Sequence, residues 1–447
     1  MHRFAGVAGA LVGVVLAATA GPALAQSPPP ITVPIFGHFR SVLAQGEGTQ
    51  LNGADFLQYQ ASGNPPASYT SQTPLYVGSE LHAPSFQPSD LDTYYKPTDF
   101  GSMPGGVGSV ESPRAGVEIF RDKQFGMAHI YGDTRSDVMF GAGYATTEER
   151  LFAMDILRHA AKGTLAELIG PDGAAMDRAQ LTDQDFTDDE LRQQFENGPK
   201  KFGAAGARAQ QDIRDYIAGI NQRIDEDLTD PTKLPAEYAA LNVMPKPWDV
   251  TDTAAMAVLL VTQFTVSNGG EEKLAQIQQA FQKRFGKAWR GPFGDLREAQ
   301  DPEAWTVAHR TFKSDRPGPV KPGRNLIPDA GSIKPFNPQT AGPGAAQPGS
   351  VASWVDTAGH VKATLPHVES NAVLVSPKLS KDGKPLWAAG PQVGYWSPQI
   401  FSEYELHGGG IDVEGVTFPG AAPWPLIGHG IDFAWTGTSA NRLEKRL

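Results

Sequence analysis

Apolar and polar positions alternate along Val117-Glu118-Ile119-Phe120-Arg121-Asp122 as in a half-buried strand, and a second short strand is expected at Ala128-His129-Ile130-Tyr131, after a turn at Gln124-Phe125-Gly126. From Ser136, a residue type suited to an N-cap, the period lengthens. Val138, Gly141, Ala145, Phe152, Leu157 and Ala161 recur near one face, which predicts a long helix to about Leu168. Gly141 and Gly143 lower helix propensity there, so their presence implies that another element packs closely against them. Helical patterning returns from about Glu190 to Leu228 and from Asp252 to Phe285. Beyond Glu369 the period becomes strand-like at Ala372–Val375, Leu386–Ala389, Phe401–Leu406, Val413–Phe418 and Asp432–Thr436, with Lys381-Asp382-Gly383-Lys384 as a hairpin signal.

The remaining stretches lack such periods. Residues 1–25 join a short basic start (His2, Arg3) to an apolar run and a small-residue end at Ala23-Leu24-Ala25, the grammar of a secretory signal cleaved after Ala25. Residues 26–115 are rich in Pro, Gly, Ser and Gln, with short extended pieces at Thr32–Phe36 and Pro74–Val77, and read as an irregular extension laid over a core. Residues 314–369 are dominated by Pro, Gly, Ala, Asn and Gln, which marks a flexible spacer. The chain thus divides into a signal (1–25), an extension (26–115), a mostly helical region (116–313), the spacer and a strand-rich segment (370–447).

Composition narrows the function classes. A net charge of -11 and a pI near 5.4 disfavour nucleic acid or an anionic membrane as partner and leave a small substrate open. No stretch after the signal is long and apolar enough for a membrane anchor, so an exported protein, secreted or periplasmic, is expected. The chain has no cysteine, which excludes disulfides, thiolate chemistry and Cys-ligated metals. P-loop, His-Glu-x-x-His, Gly-x-Ser-x-Gly and dinucleotide motifs are missing as well, and the ten histidines are scattered, as structural or surface groups are. Asp155 and Arg158 read as a structural helix pair.

Three ordered blocks add a resemblance. Phe120-Arg121-Asp122, Gly126-Met127-Ala128-His129-Ile130-Tyr131, Phe140-Gly141-Ala142-Gly143-Tyr144, Glu149-Arg150-Leu151-Phe152-Ala153-Met154 and Gly163-Thr164-Leu165-Ala166-Glu167-Leu168 resemble the α-chain opening of penicillin acylases. Leu234-Pro235-Ala236-Glu237-Tyr238 with Pro245, Trp248 and Asp252 is similar to that chain's interior. Ser370-Asn371-Ala372, Gly390-Pro391-Gln392-Val393-Gly394, Leu406-His407-Gly408, Phe418-Pro419-Gly420, Ile427-Gly428-His429 and Ala434-Trp435-Thr436 resemble the start of the β-chain.

The resemblance implies an α+β fold, the αββα sandwich of N-terminal-nucleophile hydrolases, with a mostly helical α-chain region. It implies a precursor that cuts itself before Ser370, whose hydroxyl becomes the nucleophile and whose freed α-amine becomes the base. An α-amine titrating near about 7.7–8 is substantially neutral at physiological pH, whereas inside the uncut chain the same nitrogen is an amide and inert. By the same resemblance Gln392 holds the amine region and the backbone N–H of Ser439 serves the oxyanion; taken as residues alone, they read as a turn residue and a strand end. Val261 and Thr265 fall where acyl-pocket side chains are expected. Glu271, 23 positions after Trp248, matches a ligand of a structural calcium ion, and reads equally as a solvated helix acid beside Glu272. The implied partners are a small N-acyl substrate, such as a β-lactam or an acyl-homoserine lactone, and the protein's own α- and β-chains.

The sequence departs from the family pattern in three places. Family β-chains run far longer than residues 370–447, so no position matches the asparagine that supplies the second oxyanion donor. Asn441-Arg442-Leu443-Glu444-Lys445-Arg446 stands where calcium-binding aspartates are expected, and Glu369 precedes the scissile bond where a small residue is usual. The chain therefore reads as a truncated member, with an inactive product or a binding module as the alternative to an amide hydrolase.

Overall fold

The computed structural model describes residues 28–29, 38–41, 50–66, 85, 87–90, 94–184, 186–265, 270–296, 369–392 and 399–437. The expected signal, the extended pieces Thr32–Phe36 and Pro74–Val77, nearly all of the spacer and Ser439 lie outside these residues. The extension contributes β1 (Arg40–Ser41), α1 (Gly53–Ser62), β2 (Lys96–Pro97) and β3 (Val107–Glu111). The next region supplies β4 (Val117–Asp122), β5 (Ala128–Gly132), α2 (Arg135–Lys162), α3 (Leu165–Ile169), α4 (Ala174–Asp183), α5 (Asp188–Glu196), α6 (Gly198–Thr229), α7 (Ala236–Leu241), α8 (Val250–Thr265), α9 (Gly270–Phe285) and α10 (Arg290–Leu296). The last segment forms β6 (Glu369–Val375), β7 (Leu386–Gln392), β8 (Ser402–Gly408), β9 (Ile411–Thr417), β10 (Ile427–His429) and β11 (Ala434–Trp435).

Mixed helix and sheet make an α+β fold. Its central sheet has seven strands in the order β11-β10-β9-β8-β5-β4-β3. The pairings are antiparallel except for β5 with β8, which is parallel and joins the two halves of the chain, with Ala128 opposite Tyr404 and Ile130 opposite Leu406. Because side chains alternate across a strand, Val117, Ile119, Ala128, Ile130, Tyr404 and Leu406 share one face, where they are buried in the core under α2. Each isoleucine or leucine buried there contributes about 1.5–3 kcal/mol.

Helix α2 begins earlier than the expected Ser136. Thr134 is the N-cap and forms a capping box, its Oγ1 accepting from Asp137 N (3.2 Å) while Asp137 Oδ2 accepts from Thr134 N (3.1 Å). The helical pattern expected to continue to Leu168 is interrupted at Gly163, and that from Glu190 to Leu228 is split into α5 and α6 around Asn197. Gly143 and Gly219 make the crossing of α2 and α6. A Cβ on Gly143 would lie 1.9 Å from Tyr216 O, and one on Gly219 would lie 2.0 Å from Phe140 O, so the two backbones touch where side chains normally intervene.

The extension is less irregular than its composition suggests. Gln50 repairs a kink in α2 at Arg150 (φ -141°, ψ 19°): its Oε1 accepts from Phe152 N at 3.3 Å, and its Nε2 donates to Thr147 O at 3.4 Å and Glu148 O at 3.2 Å. Leu51 O accepts from Ala236 N (3.1 Å) and Gly53 N donates to Leu234 O (2.9 Å), so the backbone before α1 is bonded to the entry of α7.

Candidate functional site

Ser370 and Gln392 are brought to one antiparallel hairpin. In the β6–β7 register Glu369 faces Gln392, and Ser370 faces Pro391. Gln392 therefore lies across the ladder from the residue before the expected cut, and the expected scissile peptide sits inside β6. Asp382-Gly383 does not form a two-residue turn; it lies within the longer connection 376–385, where Leu379 N and Ser380 N both donate to Ser376 O. Among the described residues the hairpin is a separate two-stranded sheet. Trp387 reaches the core, whereas Val373, Leu374 and Leu379 are exposed.

The other expected site residues are spread over the helical region. Val261 lies on α8 with its side chain 60% exposed, Thr265 ends that helix, and Glu271 lies in the first turn of α9. Among the described residues no group of three or more acidic or histidine side chains is arranged to hold a metal ion.

Several motif residues turn out to be buried anchors. Asp122 accepts from Gln124 N, Phe125 N and Met127 N, closing the β4–β5 turn. Arg121 pairs with Glu148 and Glu149 at 2.7 Å each, and Arg223 pairs with Glu148 at 3.1 Å and Asp227 at 2.8 Å, so β4, α2 and α6 share one ion network. Asp155 pairs with Arg158 and accepts from Tyr238 Oη. Arg158 also lies over the Trp248 ring (4.7 Å to its centroid) and contacts Asp252. The Tyr238, Trp248 and Asp252 motifs thus converge on a buried node that fixes α7 and the start of α8 against α2.

A polar row on the sheet face opposite α2 is not evident from isolated residues. Register places His129 beside Glu405, Glu405 beside Glu414, and Glu414 beside His429. A carboxylate only accepts, so His129 Nδ1 and His407 Nε2 each donate to Glu405, and His407 Nδ1 donates to Asp412 Oδ1 at 2.8 Å. With a carboxylate at each ring nitrogen, the imidazolium form of His407 is favoured. Burial opposes that charge, but hydrogen bonds and charge from Glu405 and then Asp412 outweigh it and raise the His407 pKa. Burial likewise opposes charge on Glu405, yet the two histidines hold its carboxyl down to about 2. The extension covers this row: Lys96 pairs with Glu403, Gly101 N donates to Glu405 Oε1 (2.7 Å), and Phe39 stacks on His429 with ring centroids 3.6 Å apart. The signal in the sequence is the alternation Glu403, Glu405, His407 on a strand whose neighbours are core residues; the histidines look scattered along the chain because only sheet register brings them together.

Comparison with known proteins follows the same two halves of the chain. The family model described as penicillin amidase matches residues 116–445. Penicillin G acylase of Escherichia coli is 25% identical over 348 residues, covering 74% of this chain and 39% of that protein. The acyl-homoserine lactone acylase QuiP of Pseudomonas aeruginosa is 25% identical over 331 residues, covering 74% of this chain and 34% of its own length. The chain therefore spans well under half the length of these curated relatives. A solved thermostable penicillin G acylase from Alcaligenes faecalis, in tetragonal form, aligns at 24% identity with a TM-score of 0.36 over 46% of this chain and 100% of that chain, an overlap from which no fold is inferred.

Proposed function

The chain belongs to the penicillin amidase family, whose model spans residues 116–445, and on that premise we propose that it acts as an amide hydrolase on a small N-acyl substrate after cleavage between Glu369 and Ser370. The observation that carries the reading is the β6–β7 register, which sets Gln392 opposite Glu369 and so beside the peptide to be cut. Once Ser370 is N-terminal, its α-amine takes the proton from Oγ through a water, Oγ attacks the amide carbonyl, and the amine leaves with that proton. Water then releases the acid. The Ser439 backbone N–H is assigned to the oxyanion, Gln392 to the Ser370 amine region, and Val261 and Thr265 to the acyl pocket.

The names of the relatives, penicillin acylase and acyl-homoserine lactone acylase, support an N-acyl amine as the substrate class, a β-lactam or an acyl-homoserine lactone. Export with removal of residues 1–25 belongs to this reading; among the described residues no helix is long and apolar enough to cross a membrane. Glu271 is assigned to a structural calcium ion.

The test is intact-mass analysis of the full chain together with turnover of an acyl-anilide. Wild type is expected to yield pieces ending at Glu369 and beginning at Ser370 and to turn over the anilide, with both events lost in Ser370→Ala. Wild type that remains uncut and inactive would point instead to a non-catalytic protein. Hydrolysis unchanged in Ser370→Ala would falsify the assignment of the nucleophile.

A further inference from the structure

Strand β3 closes one edge of the central sheet with little apolar burial: its register with β4 shifts between Val107 and Ser109, and it contains no fully buried residue. An edge strand held in this way depends on its ladder hydrogen bonds and on the contacts of single side chains. The chain is tied on either side of it, since Lys123 N donates to Gly106 O (3.0 Å) and Gln222 Nε2 donates to Pro113 O (2.7 Å). Its last residue, Glu111, lies opposite Ile119 in the ladder and carries its carboxyl to the ion network of β4, α2 and α6.

Carboxylates outnumber cations in that network. Among the described residues, Glu111, Glu148, Glu149 and Asp227 share ion pairs with Arg121 and Arg223 alone. The distances rank the four acids. Arg121 lies 2.7 Å from both Glu148 and Glu149, and Arg223 lies 3.1 Å from Glu148 and 2.8 Å from Asp227, whereas Glu111 is 4.0 Å from Arg121 and 3.9 Å from Arg223. Glu111 is thus the least compensated of them, lies beside the Glu148 carboxylate, and is 27% exposed and so open to a proton from solvent. Where two carboxylates share a site, the less well paired one keeps the proton. The other charged or titratable groups around them are Tyr144 and Glu226, joined by a hydrogen bond at 2.6 Å, with Arg150 beyond Glu149 and Lys233 beyond Asp227.

We propose that Glu111 is a proton-operated latch on β3. Protonated, it donates to the Glu148 carboxylate and the strand stays closed on β4; ionised, it is repelled by Glu148 and the strand detaches, leaving the β4 edge open. Burial first, and then the Glu148 charge, raise the Glu111 carboxyl from 4.5 to about 7 against the pull of Arg121 and Arg223. In a detached β3 the group is solvated and regains its ordinary value. Closure is therefore strongest below 4.5, weakens by up to about tenfold per pH unit as pH rises, and levels off above about 7. The two flanking ties do not titrate, which confines the release to β3.

The experiment is amide hydrogen exchange of the full chain at about pH 5 and about pH 8, with each rate taken relative to its intrinsic value so that the direct effect of pH on exchange drops out. Backbone amides of residues 107–111 are expected to lose at least about fivefold in protection at the higher pH, while those around Tyr216 in α6 hold theirs. In Glu111→Gln, which keeps the shape and neutrality of the protonated group, the loss is expected to vanish and protection at about pH 8 to exceed that of wild type. Equal protection at both pH values in wild type, a fall of the same size in α6, or an equally steep fall in Glu111→Gln would overturn the inference. So would a Glu111→Gln chain that circular dichroism shows to be unfolded, because the neutral side chain is the one that closes the strand. None of these readouts depends on amide turnover or on a cut at Ser370.

Discussion

Two carboxylates, Glu405 and Asp412, hold His407 from either side, and this sets the sign of one response to pH. The His407 pKa is raised in the folded protein above the ordinary 6.5, so its contribution to stability is complete below 6.5 and is lost as pH rises through the raised value. The Glu405 pKa is depressed from 4.5 to about 2, so its contribution is complete above 4.5 and is lost as pH falls toward 2. Denaturant midpoints measured across pH are therefore expected to fall less steeply above about 6.5 in His407→Asn than in wild type, over the slope that other groups such as Glu111 add equally to both. An alkaline limb identical in wild type and variant would show that His407 does not carry it. Glu111 belongs to a different group: burial first, and then the Glu148 charge, push its carboxyl up to about 7 despite Arg121 and Arg223.

Among the elements, the α2–α6 crossing has the least tolerance. Gly143→Ala improves helix propensity by about 1 kcal/mol, but its Cβ must find room 1.9 Å from Tyr216 O. The variant is expected to lose at least about 2 kcal/mol in urea unfolding. Gly294→Ala in α10, where an added Cβ would meet nothing within 4 Å, is the matched substitution expected to be neutral or mildly stabilising. Stability of Gly143→Ala equal to wild type would mean that the helices can separate without penalty. This crossing was legible in part: glycines on an otherwise periodic helix announced a close neighbour, though not which one. Strands β4, β5, β8 and β9 were legible to within a few residues from their period, as was the pairing of Asp155 with Arg158 from their spacing.

The same patterning missed what depends on distant partners. Nothing local in the extension indicates that Gln50 fills the α2 kink or that Lys96 meets Glu403, since both contacts are made by single polar residues in stretches without a period. The histidine–carboxylate row escaped for a related reason: its members come from β5, β8, β9 and β10 and meet only through sheet register. Ser370 and Gln392 were found by resemblance; the hairpin register then related them at backbone level.

At the scale of the whole molecule, the parallel β5–β8 pairing ties residues before the proposed cut to residues after it. The buried His129–Glu405 and Lys96–Glu403 pairs reinforce that link. Cleavage between Glu369 and Ser370 is therefore expected to leave both pieces in one peak on gel filtration in native buffer, and to separate them only in denaturant. Two peaks without denaturant would mean that sheet pairing and the buried side-chain pairs are insufficient to hold the halves together.

The same pairing bears on the order in which the molecule forms. His129 and Glu405 are 276 positions apart, so closing the centre of the sheet must overcome the entropy of a very long loop. The helices around α2 and α6 draw on contacts much nearer in sequence and can assemble while synthesis is still under way. Strand β5 must wait on the ribosome with one edge open until β8 has emerged, and during that interval the nascent chain is most exposed to mispairing with another copy.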